Sequence, residues 1–429
     1  MNRHRPVRLG TAVLAAVGIG ALVPMLAGTA SAASTTGSAK GQSISYLYFT
    51  NGPDLNATKT LISQFEKQTG ATVNLQLVPY ASLNQVLQAR VSAGDPPAVV
   101  QTTNPSTFGS DLVNLGKVLG PAWVKTLSPG LLGEAIYRGQ VVALPNQLTV
   151  AGPFVNVTMF KKAGVPVPNI NSKWTWPEMV TAAKKVQEAN GTPFAIAMDH
   201  SGARTANVLC QFGAYLYGSN GKSQMNAANA LRAVTYLSGL FENNTISKAA
   251  YIAAGTNYAA GDTQWLAKEA PVLLSGSWEV AAFLKSTPFE WATVPNPTGT
   301  VGGGMSGGNY MVAFKKSNNP TLAAQFIKFM SEPKNQAYMS VVSDTIPSAA
   351  ADAQPGAISY PGQAKVAMET FNRAATLMPA GCNLSEANPG FTAAADQLMA
   401  DLTKVMAGQM TPKAAVADVI ATARKNNNV

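Results

Sequence analysis

Histidine, cysteine and charge are all scarce in this chain, and each scarcity removes a class of function. The 429 residues include two His, two Cys and 12% charged residues. His4 lies in the N-terminal segment, which leaves His200. A lone imidazole has no second His to join it in a metal site, and two thiols without supporting His cannot close a structural zinc site. The formal charge of +10 is spread thinly. No run of Lys and Arg is interleaved with aromatics, so the basic stripe that nucleic-acid binding requires is missing. Beyond the N-terminal segment no apolar run reaches spanning length, and no short repeat points to a solenoid.

Several catalytic patterns occur without their context. Gly302-x-Gly304-x-x-Gly307 fits the dinucleotide fingerprint, which needs a strand before it and a helix after it; here a strand-like segment follows. Gly304-Met305-Ser306-Gly307-Gly308 fits the nucleophile-elbow pattern, but that chemistry needs a helix after the Ser and a His later in the chain, and His200 precedes Ser306. Gly221-Lys222-Ser223 resembles the end of a phosphate-binding loop, yet Leu216 occupies the position of its first Gly. The 21 Asp and Glu lie mostly on predicted helix faces and give no focused pair of the kind a glycosidase uses. The expectation is a protein without catalysis or cofactor, with a secreted glycoside hydrolase as the enzymatic alternative.

What is present starts with an export pattern. Arg3, Arg5 and Arg8 precede an apolar run from Leu9 to about Gly28, and Ala30-Ser31-Ala32 supplies small residues for cleavage, the plan of a signal peptide over residues 1–32. No Cys near that site offers a lipid attachment point. The expected location is extracytoplasmic, at the cell surface or in the periplasm. There, Cys210 and Cys382 form a candidate disulfide; two separately buried thiols are the alternative, and sequence leaves both open. A mature chain of about 400 residues exceeds one ordinary core, so two or more domains are expected.

After a small-residue tail (33–42), the pattern alternates. Residues 44–49 read as a strand, 58–68 as a helix ended by Gly70, and 73–78 as a strand. A helix capped by Ser82 follows, then a strand from Ala98. This β-α-β-α-β order implies a parallel sheet flanked by helices. The same rhythm continues with strands at 141–145, 194–198, 270–274, 289–294 and 310–314. Thr175-Trp176-Pro177-Glu178 is a helix start, with Thr175 capping and Glu178 reaching back. Helices follow at 205–217, 226–243, 320–331, 334–341, 361–377, 391–407 and 412–425.

In open α/β sheets, ligands bind beyond the carboxyl ends of strands. The residues there are Thr50, Asn51, Asn104, Asn146, Gln147, Asp199, His200, Arg204, Trp278, Asn309 and Tyr310. Amide, carboxylate and guanidinium groups suit hydroxyl-rich ligands, and a Trp or Tyr face suits the C–H face of a sugar ring.

The order and spacing of several segments carry a resemblance: Val142-Ala143-Leu144-Pro145, Met159-Phe160-Lys161-Lys162-Ala163-Gly164, Ala270 to Trp278, Gly307-Gly308 before a strand, and Gly408 to Pro412 before a final Ala-rich helix. Over most of residues 44–425 the chain resembles extracellular solute-binding proteins of ABC importers, the group that includes maltose-binding and glycerol-phosphate-binding proteins. The resemblance implies a two-lobed periplasmic-binding-protein fold, α/β in class, with a hinge between two domains: residues 43–150 with 307–345, and 151–306 with 346–425, leaving 426–429 as a tail. It implies hinge closure on a sugar, a monomer, and membrane transporter subunits as partners. It also places Trp278 as a ligand platform, Gly307-Gly308-Asn309 as a close backbone approach, and Phe391 at the cleft. A glycerol-phosphodiester ligand, held by Arg204, is the alternative within binding.

Overall fold

The computed structural model describes residues 39–49, 54–127, 133–218, 222–253, 260–352, 356–379, 381–382, 385, 388 and 390–426. The export segment, Thr50 and Asn51 lie outside them. The last residues of the expected tail are packed rather than free: Ala39 is buried, and Gly41 N–H donates to the carbonyl of Gly70, the residue at φ +73° that ends the first helix.

The strands are β1 (Ser43–Tyr48), β2 (Thr72–Leu77), β3 (Val99–Thr102), β4 (Ile136–Tyr137), β5 (Gln140–Val141), β6 (Ala143–Asn156), β7 (Ile196–Met198), β8 (Val272–Gly276), β9 (Trp291–Thr293) and β10 (Ser306–Ala313). Among the described residues, eight of them share one sheet in the order β2-β1-β3-β10-β6-β8-β7, with β9 also on β6. β1 pairs in parallel with β2 and β3, through the helices Asp54–Thr69 and Tyr80–Ser92. The second of these starts two residues before Ser82, after an extended Pro79, so Ser82 is inside the helix and caps nothing.

β6 departs most from expectation. The reading of 141–145 as a short strand is replaced by a 14-residue strand buried along nearly its whole length. Its first half pairs with β10 and its second half with β8 and β9. It therefore runs from one half of the sheet into the other. Beside it, β10 crosses back, and Leu148 and Ile346 exchange backbone hydrogen bonds of 3.2 and 2.8 Å. Three stretches of chain thus pass side by side between the halves.

Side-chain alternation sorts the cores. In the second half, Phe154, Ala197 and Leu273 face the aromatic cluster of Trp265, Phe283, Trp291 and Phe371. Their neighbours Val155, Ile196, Met198, Val272 and Leu274 face the opposite core, under the helices Trp176–Asn190, Gly202–Gln211 and Phe391–Met406. Period-two alternation is what allows both faces to be covered.

Candidate functional site

Where β6 and β10 cross, Asp54, Gln147, Thr149, Trp278, Asn309, Ser343 and Thr345 line a narrow cleft. One wall is a hydrogen-bonded polar surface. Asp54, first residue of its helix, accepts the Tyr48 hydroxyl at 2.5 Å, and Thr58 donates to that same oxygen at 3.0 Å. Asn309 Nδ2 donates to Gln147 Oε1 at 2.6 Å across the β6–β10 ladder. Burial and the neighbouring Asp54 push the Tyr48 phenol well above its ordinary range, so it stays protonated. Buried groups satisfied in this way are fixed in direction before a ligand arrives.

The other wall is the indole of Trp278, on a short turn (Ser277–Glu279) directly after β8. A Cβ at Gly276 would collide with its six-membered ring, so the ring lies flat against that residue. The Arg204 guanidinium sits over the ring at 4.6 Å. Arg204 is itself held, donating from Nε and Nη2 to Asp199 Oδ2 at 3.2 Å each, while Ser201 Oγ donates to Asp199 Oδ1 at 2.7 Å. Both ion-pair partners are almost completely buried. Arg204 borders a separate small pocket with Asn207, Gln211 and Asn296 rather than the cleft. It stacks on the Trp278 ring.

Strand geometry divides the sequence-derived candidates. Gln147, Asn309 and Trp278 meet at the cleft. Gly308 lies between them at φ +154°, and a Cβ there would come within 2.6 Å of the Gln147 carbonyl. Tyr310 follows Asn309 in the same strand and so faces the other way, into the first core. Asn146 is the extra residue of a β-bulge, because Asn309 opposes Gln147 while Tyr310 opposes Pro145. It is fully buried and accepts from Gln336 Nε2 at 3.3 Å. Asn146 and Gln147, expected just beyond a strand end, both lie inside β6. Asp199 and Arg204 are a buried support and do not line the cleft. His200 packs on Tyr251, ring centroids 4.5 Å apart. Phe391 packs in the second core. Asn104 reaches across instead, donating to Thr392 Oγ1 at 3.1 Å.

Sequence reasoning missed Asp54, Thr149, Ser343 and Thr345. Asp54 had a signal, an acid after Gly52-Pro53 at a helix start, but the helix was read as beginning at Thr58. The other three depend on the chain crossings and had none. Ser306 opens strand β10 and not the helix that a nucleophile elbow requires. Among the described residues no cluster of His, Cys, Asp and Glu could hold a metal ion. Cys210 and Cys382 are bonded, with Cα atoms 5.7 Å apart, within ordinary disulfide geometry.

Residues 50–337 match the family model described as bacterial extracellular solute-binding protein. The chain is 24% identical over 314 residues to the multiple sugar-binding protein of Streptococcus mutans, covering 68% of this chain and 72% of that one. Its fold is that of two-lobed binding proteins. A solute-binding protein of Thermotoga lettingae solved with α-D-tagatose superposes with a TM-score of 0.75 at 16% identity, covering 90% of this chain and 100% of that one. The GacH receptor of Streptomyces glaucescens, solved unliganded and with acarbose, gives 0.74 at 19% identity, covering 90% and 98%.

Proposed function

Because the chain belongs to the bacterial extracellular solute-binding protein family, we propose that it captures a sugar or oligosaccharide outside the cytoplasm and hands it to an ABC permease. The observation that carries this reading is that Trp278 lines one cleft together with fixed amides, hydroxyls and a carboxylate. A sugar has both kinds of surface. Its C–H face covers the indole while its hydroxyls exchange water for Asp54, Gln147, Asn309 and Thr345. The multiple sugar-binding protein of Streptococcus mutans and the tagatose- and acarbose-bound structures support the same ligand class.

The lobes in this reading are residues 43–150 with 307–345 and residues 151–306 with 346–425, hinged at the three crossings. The ligand touches both and so favours the closed arrangement. Moving such an equilibrium from mostly open to mostly closed takes about 5.5 kcal/mol of differential binding. Capture leaves the ligand's bonds intact, and the protein acts as a monomer. A phosphodiester ligand is disfavoured, since the cation it needs, Arg204, is committed to Asp199, is stacked on Trp278 and does not line the cleft.

The test is a thermal-shift panel of mono-, di- and oligosaccharides and glycerol phosphodiesters on the mature chain. A ligand at one hundred times Kd adds about 2.7 kcal/mol, which raises the midpoint for a sugar. A panel in which only phosphodiesters stabilise, or in which a chromogenic glycoside is cleaved, defeats the proposal.

A further inference from the structure

A Trp side chain turns about two torsions, so the short turn Ser277–Glu279 sets where the indole starts but not how it faces. Two contacts restrict it. Gly276 leaves open the space that the six-membered ring occupies, and the Arg204 guanidinium stacks on the ring, its carbon 4.6 Å from the centroid. The first contact is local. The second comes from a different element, the helix Gly202–Gln211.

A stacked side chain fixes a ring only if it is fixed itself, and Arg204 is held at both ends. Its backbone N–H, in the first turn of that helix, donates to the capping Ser201 Oγ at 3.1 Å. Its side chain donates from Nε and Nη2 to Asp199 Oδ2, and the same Ser201 hydroxyl donates to Asp199 Oδ1. One hydroxyl thus orients both partners of the ion pair. The helix is anchored in turn: a Cβ on Gly202 would sit 2.8 Å from Ala395 on the helix Phe391–Met406, and Cys210 is bonded to Cys382. Because the pair is almost completely buried, neither member can swing away without leaving an unpaired charge. The arrangement requires arginine. A guanidinium is planar, with its donors at the edge and its face open, so Arg204 gives its edge to Asp199 and its face to Trp278 at once. A lysine ammonium would keep the charge but has no flat face to stack.

We propose that Arg204, oriented by Asp199 and Ser201, is a positioning residue for ligand binding: from outside the cleft it holds the Trp278 indole in the orientation that the ligand meets. This rests on reading Trp278 as the platform. A desolvated cation–π contact changes an equilibrium constant by about ten-fold or more, so its loss lowers sugar affinity by about that factor.

The experiment reads the ring first without ligand. The mature chain is labelled with 5-fluorotryptophan, and the Trp278 19F resonance is assigned by its loss in Trp278→Phe. Wild type is expected to give one sharp Trp278 line and Arg204→Lys a broadened or split one. Affinity of Arg204→Lys for the panel sugar that raises the midpoint most is expected to fall by about ten-fold. If Arg204→Lys does not fold, the double variant Asp199→Asn, Arg204→Gln, which leaves neither member of the ion pair charged without the other, is read by the same criteria. A Trp278 line that stays sharp in the Arg204 variant while only the unfolding midpoint drops, as a merely structural role would give, overturns the proposal alone, as does a line that broadens while sugar affinity holds. Sugar affinity unchanged in Trp278→Ala overturns the platform reading and this proposal with it.

Discussion

At the scale of residues, Gly276 and Trp278 form one unit, since the ring occupies the space a Cβ would take. Gly276 is extended, at φ −171°, a conformation open to any residue, so Gly276→Ala does not strain the backbone and must instead displace the indole. Overpacking of this kind costs about 1–3 kcal/mol, and calorimetric titration of the sugar found by panel screening is expected to show a loss of that size with folding intact. The Asp262 carboxyl, pushed up by burial and then by the neighbouring Glu279, makes a second prediction. Asp262 binds its proton more tightly in the folded than in the unfolded chain, so the folded state carries more protons between the ordinary carboxylate range and about 9. Its contribution to stability is therefore full at low pH and is lost as pH rises through that window. Urea unfolding at a series of pH values checks this: wild type is expected to lose stability toward alkaline pH more steeply than Asp262→Asn.

At the scale of elements, the disulfide ties the helix Gly202–Gln211, which carries Arg204, to the segment leading into the helix Phe391–Met406. The sequence separation of 172 between its cysteines makes a long loop, and removing such a link costs about 2–5 kcal/mol. A Cys210→Ser, Cys382→Ser double variant is expected to show that loss in its denaturation midpoint, whereas an unchanged midpoint denies the bond a stabilising role. Elements with local signals were legible in the sequence. The helix Trp176–Asn190 has at its start the capping box of Thr175 and Glu178, as read, and ends at Gly191, at φ +68°. β6 was not legible, because Pro145, Gly152 and Pro153 punctuate it and its continuity comes from different partners at its two ends. The candidate site fared likewise. Trp278 was readable from the turn after β8, but Asn309 and Tyr310, neighbours in a strand, cannot share one face, and the bulge that turns Asn146 inward is a property of the pairing. Asp262 had no local signal, since its neighbour Glu279 arrives only through the fold.

At the scale of the whole molecule, the central claim is that two halves joined by three crossings shut on a ligand held between Trp278 and the Gln147–Asn309 wall. The most direct test is small-angle scattering of the mature chain with and without a saturating sugar from the panel, for wild type and Trp278→Ala. The account predicts a smaller radius of gyration for liganded wild type and, for Trp278→Ala, compaction only at much higher sugar concentration, the platform contributing about 2 kcal/mol or more, as buried Trp anchors do. A sugar that binds tightly while the radius of gyration stays constant, or that compacts both proteins at the same concentration, would contradict it.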